Sequence, residues 1–453
     1  MMNKKHLFLA FAASAILPFA FTACDDDDPT IPSEIVSSVT FTDTDLTEGT
    51  IGGTLSWTAP SKTKNIDSYN IYISDDGTTK GDKLGSSLKG ETTFTVPAGT
   101  KLTSYFIVVT SNAEGEALTW ANVQVKDAMR PINGYYVLNQ GKYQSNNATL
   151  SYYDLGTKTL TADIFSAKNN RKLGDTANDF IVYGSKMYIA GYGSQTIEIT
   201  DLRANSLKQI KPSSGELLPR SFAAAGGKVY VSLYDGNVAR IDTSSMSIEK
   251  TIKVGANPEQ MAISNGKLYV ANSGGMSYPT YNNTVSVIDL SSFTVTKTIK
   301  VVLNPVNMLT TSNGNVYLVS MGNYSTVQNT LQKIDPKTDA ITTITTANGT
   351  EFGALNNTLY MLYSQYDSNW NQVISYVTYD AANDKVINNN FITDGTAISK
   401  SYKVGTIAGK SQIYVSTSDY KTNGTAFIFN TAGVKQLSFE TGVNPCRIVY
   451  VGQ

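Results

Sequence analysis

Short segments in which β-branched or aromatic residues alternate with small and polar ones recur along this chain, the period of a strand with one covered face. Stretches rich in Lys, Glu and Leu, the usual helix formers, are scarce. Between residues 35 and 127, "TLSWTAP", "SYNIYIS", "TTFTVP" and "SYFIVVTSN" are separated by Gly, Pro and Asp-Asp-Gly turns. That spacing predicts a β-sandwich of about a hundred residues. From residue 131 one theme repeats: a turn, then a tyrosine-bearing strand, as in "GSKMYIA", "GGKVYVS", "NGKLYVA", "NGNVYLV", "NNTLYML" and "KSQIYVS", with "NGYYVLN" opening the region. The aligned residues are Tyr136, Tyr188, Tyr230, Tyr269, Tyr317, Tyr360 and Tyr414, spaced 52, 42, 39, 48, 43 and 54 residues apart. Such a period holds four short strands and their turns, the signature of propeller blades.

Within each repeat an inner strand precedes the tyrosine ("PEQMAIS", "PVNMLTT"), a third strand ends in or near Asp ("TVSVIDL", "VARIDT"), and a fourth follows ("TVTKTIKV", "SIEKTIKV"). The first copy lacks its inner strand, and the chain's end supplies one, since "GVNPCRIVYV" copies "VGANPEQMAI". The expected fold class is all-β: a β-sandwich followed by a seven-bladed β-propeller closed by the C-terminal strand. With the strands named A to D from the axis outward, A–B and C–D turns share one face, and B–C and D–A connections share the other. The A–B turns are short and plain. The B–C loops are long and aromatic, and the one spanning 273–283 spends eleven residues where a hairpin needs two. Every B–C loop carries a tyrosine: Tyr143, Tyr192, Tyr234, Tyr278 with Tyr281, Tyr324, Tyr366 and Tyr420, joined by Met276 and Trp370. The D–A connections add Arg220, Asn257, Asn307 and Arg447 to that face. Rigid amphipathic rings beside amide and guanidinium donors suit a concave site for a large, partly polar ligand, and these fourteen residues form the candidate binding set.

Composition narrows the chemistry. Charged residues make up only 16% of the chain, and tyrosine, at 27 copies, is unusually frequent, which favours an all-β reading. Residues 1–23 have a basic start at Lys4 and Lys5 and an apolar run, the pattern of a secretory signal. Without them the chain holds 34 basic and 37 acidic residues, a net charge of −3, and no basic stripe, so nucleic acid is not an expected partner. The four carboxylates Asp25 to Asp28 repel one another and keep the tether 24–34 solvated. The only histidine is His6, inside the signal, which excludes a Ser-His-Asp triad, a Cys-His pair and a His-ligated metal. Asp179, Asp235, Glu259 and Asp367 leave a carboxylate pair for glycoside chemistry open. The expectation is a binding protein, not an enzyme, with no cofactor and no metal. Cys446, on the C-terminal inner strand, is expected to be a small buried thiol.

Several stretches resemble known families. "FTAC", ending at Cys24, resembles a bacterial lipobox, which would make Cys24 a lipidated N-terminus anchored in outer-membrane lipid. Cysteine followed by an acidic run resembles the surface-export signal of Bacteroidota lipoproteins and implies the outer face of the outer membrane. Residues 35–127 resemble a fibronectin type III module, with Trp57 as core tryptophan and Leu102 and Tyr105 on the corner-tyrosine strand. Within 131–453, "YVAN" followed by "NTVSVIDL" is similar to the YVTN-type propeller repeat. "YYVLNQGKYQSNNATLSYYD" with "DIFSAKNNRKLGD" resembles the start of the cobalamin-capturing BtuG-like surface lipoproteins. That resemblance implies capture of a corrinoid on the aromatic face and its transfer to a TonB-dependent transporter. A surface adhesin or scaffold binding a protein or glycan, or capture of an iron chelate, are the alternatives.

Overall fold

The computed structural model describes residues 30–366, 369 and 372–452. The signal with His6, the lipidation candidate Cys24, the acidic run, Asp367 and Trp370 lie outside the described residues. The chain divides into two compact units that meet between Pro131 and Ile132.

The first unit is a sandwich of two antiparallel sheets. One orders Ser37–Asp43, Thr50–Thr58 and Thr93–Lys101. The other carries Lys83–Leu88, Ser68–Ser74, Tyr105–Asn112 and Gly115–Glu116, with Ala121–Gln124 paired to Tyr105–Asn112. Trp57 is buried between them, its ring centroid 5.3 Å from that of Tyr69. Inward residues of both sheets, among them Ile51, Leu55, Ile71, Phe106 and Val108, complete one core. Tyr105 is half-buried and Leu102 exposed.

The second unit is all-β and propeller-like: seven four-stranded antiparallel sheets among the described residues, with a short helix, Ile164–Asn169, after the first. Their inner strands are Ala177–Tyr183, Pro219–Ala225, Pro258–Ser264, Pro305–Thr310, Glu351–Leu355 and Ser401–Ile407, for the second to seventh sheets in chain order. The C-terminal strand Pro445–Gly452 pairs antiparallel with Asn133–Asn139 and is the inner strand of the first. One expectation is corrected. No sheet is closed: every strand order has two ends, and Pro445–Gly452 is the edge of an open sheet, not the seam of a closed one. The reason lies in what joins one sheet to the next. Backbone pairing stops at each edge, and neighbouring sheets meet through side chains, with an apolar core between each successive pair and between the seventh and first.

The repeated tyrosine now has a structural cause. All seven are buried, on second strands such as Lys267–Asn272 that are covered on both faces and not on one as the alternation suggested. Three of their hydroxyls bond the turn between third and fourth strands of the following sheet: Tyr136 donates to Leu202 O at 2.8 Å, Tyr269 to Asp339 Oδ1 at 2.7 Å, and Tyr317 to Ala381 O at 3.2 Å. A ring that fills the intersheet core and a hydroxyl that satisfies a turn do two jobs from one position. The asparagine of "YVAN" is equally specific. Asn272 is fully buried, donates to Thr284 Oγ1 at 3.1 Å and Ser286 Oγ at 3.0 Å, and accepts from Gly255 N at 3.1 Å. Asn139 repeats this with Thr149, Ser151 and Gly442. Asn272→Ala would leave these groups unsatisfied, so it is expected to cost about 2–3 kcal/mol. The measurement is a urea midpoint shift at unchanged slope; a loss below about 0.5 kcal/mol would show the network to be dispensable.

Candidate functional site

Inner strands begin on the face of the B–C loops, and six of the seven begin with a β-bulge. Register slips between Ala177 and Asp179, Pro219 and Ser221, Pro258 and Met261, Pro305 and Asn307, Ser401 and Lys403, and Pro445 and Arg447. A bulge opposes two residues to one and breaks strict alternation, so two successive side chains can turn the same way. Here both members of each pair line one central cavity of about 510 Å³: Asn178 with Asp179, Arg220 with Ser221, Glu259 with Gln260, Val306 with Asn307, Tyr402 with Lys403, and Cys446 with Arg447. The sixth sheet has no such slip and contributes Glu351 at its first position.

The collar at this level holds three acids and three bases, paired across neighbouring sheets. Arg220 Nε lies 2.6 Å from Glu259 Oε2, Lys403 Nζ 2.5 Å from Glu351 Oε1, and Arg447 Nε a looser 3.8 Å from Asp179 Oδ1. Asn307 takes the remaining place and donates to Thr350 O at 2.6 Å. Burial works against the charge of Arg220, but the Glu259 carboxylate outweighs it by charge and hydrogen bond and raises the guanidinium further. Lys403 is raised in the same way, burial being overcome by Glu351 and Tyr402. Burial, with Asp179 beside it, pushes the Cys446 thiol up to about 12, so it stays protonated and unreactive near neutrality. Cys446 is only partly buried and lines the cavity, its Sγ 3.5 Å from two backbone carbonyl oxygens.

Beside the channel, over the fifth to seventh sheets, lies a cleft of about 890 Å³. Tyr324, Tyr366 and Tyr420 form its walls, 66%, 60% and 60% exposed. Glu351, Tyr402 and Lys403 line both cleft and channel, so the two cavities meet at this ion pair. Tyr402 packs edge-on against Tyr420, centroids 5.6 Å apart, and donates to Gln140 Oε1 at 3.1 Å.

The structure divides the predicted set. Arg220, Asn307 and Arg447 line the channel, and Tyr324, Tyr366 and Tyr420 the cleft. Tyr281 extends the aromatic row, its ring 6.1 Å from both Tyr324 and Tyr278. Tyr192 and Tyr234 pack edge-on at 5.9 Å, and Arg220 Cζ lies 5.0 Å from the Tyr234 ring, so this pair supports the collar. Burial and the Glu259 charge push Tyr234 up to about 12. Asn257 is likewise a brace, donating to Tyr234 O at 2.9 Å and accepting from Met276 N at 3.1 Å. Met276, Tyr278 and Tyr143 are exposed and line neither cavity. Of the carboxylates considered for catalysis, Asp179 and Glu259 are collar members and Asp235 is exposed away from both cavities. Glu351, Tyr402, Lys403, Gln140 and Asn178 are lining residues that sequence reasoning missed. Aligning the inner strands on "NPEQM" and "NPCRI" could have found the collar positions. Among the described residues no group of three or more His, Cys, Asp or Glu could hold a metal ion, and no helix is long and apolar enough to cross a membrane.

Solved structures similar to this chain include Kuenenia stuttgartiensis hydrazine synthase, at 14% identity and a TM-score of 0.47 over 58% of this chain and 85% of that one. The Neurospora crassa Pan2 WD40 domain is similar at 11% identity and a TM-score of 0.44, over 60% of this chain and 80% of that one. No curated protein matches. A family model described as a domain of unknown function, DUF5074, matches residues 133–444, and the chain belongs to that family.

Proposed function

We propose that this protein captures a large, partly polar nutrient ligand, a corrinoid of the cobalamin type, on the face carrying its B–C loops, and binds it without turnover. The observation that carries the reading is the tyrosine-walled cleft of about 890 Å³ opening onto a hydrogen-bonding channel. Its volume lies at the upper end of the roughly 300–1,000 Å³ typical of small-molecule sites. A corrinoid offers a broad face for the rings of Tyr324, Tyr366 and Tyr420 and peripheral amides for the polar lining. The resemblance of "YYVLNQGKYQSNNATLSYYD" to the BtuG-like lipoproteins supports the same ligand. It also supports an anchor at Cys24 on the outer membrane and transfer to a TonB-dependent transporter. The collar's equal count of acids and bases gives no positive excess to attract an anionic iron chelate.

Titrating the soluble chain from residue 29 with cyanocobalamin in a calorimeter is expected to show one saturable site. Absence of heat at micromolar protein and ligand would overturn the corrinoid reading and turn attention to glycan or protein partners.

A further inference from the structure

One residue of each sheet stands at the level of the collar: Arg447, Asp179, Arg220, Glu259, Asn307, Glu351 and Lys403, for the first to seventh sheets in order. Seven is an odd number, so signs that alternate around the ring must break somewhere. They skip at neutral Asn307, between Glu259 and Glu351, and repeat where the seventh sheet meets the first. There Ser401–Ile407 packs beside Pro445–Gly452, and Lys403 and Arg447 are neighbouring cations with no carboxylate between them in the lining. The collar is neutral in total but lopsided, positive at this edge and negative on the side of Asn307. Arg447 is also the least committed of the three bases. Arg220 and Lys403 bond their carboxylates directly, but the Arg447 guanidinium has its 3.8 Å approach to Asp179 and no hydrogen bond among the described residues. Its side chain is the most open, 42% exposed against 30% for Arg220 and 25% for Lys403. Burial opposes its charge and Asp179 overcomes it, so the guanidinium stays charged and offers accessible donors to the channel.

We propose that the Lys403–Arg447 edge of the collar is an oxyanion subsite that holds the single negative charge of the bound ligand, the phosphodiester of a corrinoid's nucleotide arm. A planar guanidinium beside a flexible ammonium suits two oxygens of one phosphate. Tyr402 and Lys403 line both cavities, which gives an arm a path to this edge while the ring stays in the cleft. The inference rests on the corrinoid reading and adds to it the group recognised in the channel. It also agrees with a collar that draws in no multiply charged chelate. A neutral ring has little field at long range, whereas two adjacent cations act at contact distance.

Two probes test this by calorimetry: cyanocobalamin, which carries the phosphodiester, and dicyanocobinamide, which keeps the ring and lacks it. Arg447→Gln should weaken cyanocobalamin about tenfold and leave dicyanocobinamide within twofold, the loss expected for one charge-assisted hydrogen bond. Arg447→Lys, which keeps the charge, should stay within about threefold of wild type for cyanocobalamin. Asp179 keeps its bonds from Ser221 Oγ and Phe222 N in both variants, so the fold should survive, and unchanged thermal midpoints check that it does. An equal loss for the two probes, or no loss for either, overturns this inference and leaves the corrinoid reading standing. If neither probe binds wild-type protein, the corrinoid reading fails, and inorganic phosphate alone then decides the subsite. Heat on adding phosphate to wild type, absent in Arg447→Gln, would keep it; no heat in either would remove it.

Discussion

Arg220→Met is expected to destabilise the protein by about 3 kcal/mol at pH 8, measured by urea denaturation. Glu259, 6% exposed, has its Oε2 2.6 Å from Arg220 Nε, and its other oxygen accepts from Nη2 and from Ser273 Oγ at 3.4 Å each. Methionine fills similar space but supplies no charge and no donor. The carboxylate would then be buried with no cation beside it, which is the costly half of breaking an ion pair. Adding Glu259→Gln to Arg220→Met should recover all but about 1 kcal/mol at pH 8, because the uncompensated charge is gone. A single variant that Glu259→Gln does not rescue would show that Arg220 matters for its packing on Tyr234 and not for its charge.

How far this site could be read in advance follows from what a linear pattern encodes. The blades were legible because each repeats a tyrosine whose ring fills an intersheet core, and a period of about 40–50 residues survives any local irregularity. The long loops were legible because loop length is written in the chain: the 273–283 loop runs between Lys267–Asn272 and Thr284–Asp289 as its length implied. The collar was not, because a β-bulge is a register event with no fixed residue type. "ANDFIVY" and "SYKVGTI" give no sign that Asn178 and Asp179, or Tyr402 and Lys403, would turn into the same cavity. Nor does loop composition say which rings gather. Seven tyrosine-bearing loops suggested one shared ring, yet Tyr192 and Tyr234 pack on each other and brace Arg220, whereas Tyr324, Tyr366 and Tyr420 surround open space. Edge-to-face packing consumes an aromatic face that a ligand could use, and only three-dimensional distances reveal which faces are already taken. The word "closed" misled for a related reason. A strand that completes the first sheet from the far end of the chain looks in sequence like a seam, but pairing with Asn133–Asn139 leaves that sheet as open as the other six.

The largest effect on binding is expected from replacing Tyr324, Tyr366 and Tyr420 together by Ala: a loss of at least about a hundredfold in affinity for cyanocobalamin, read by calorimetry. Truncating a tyrosine at the centre of an interface typically costs about 2 kcal/mol or more, and three around one cleft share the face of a single ligand, so their losses are large but less than additive. These side chains are 60–66% exposed, and substitution on that side of the loops should leave the thermal midpoint within about 2 °C. Tyr143→Ala supplies the internal comparison. It removes an equally exposed tyrosine, 65% accessible, from a B–C loop of the same face, but one that lines neither cavity. If the whole aromatic face grips the ligand as a ring, Tyr143→Ala should cost as much as any single cleft substitution. If the cleft over the fifth to seventh sheets is the site, Tyr143→Ala should change affinity less than twofold, while Tyr324→Ala, Tyr366→Ala and Tyr420→Ala each cost about tenfold or more. An unaffected triple variant would move the site off this face altogether. A triple variant that loses binding and melting temperature in parallel would make these rings structural, and the collar below them, with Lys403 and Glu351 at its open edge, would then be the place to look for the ligand.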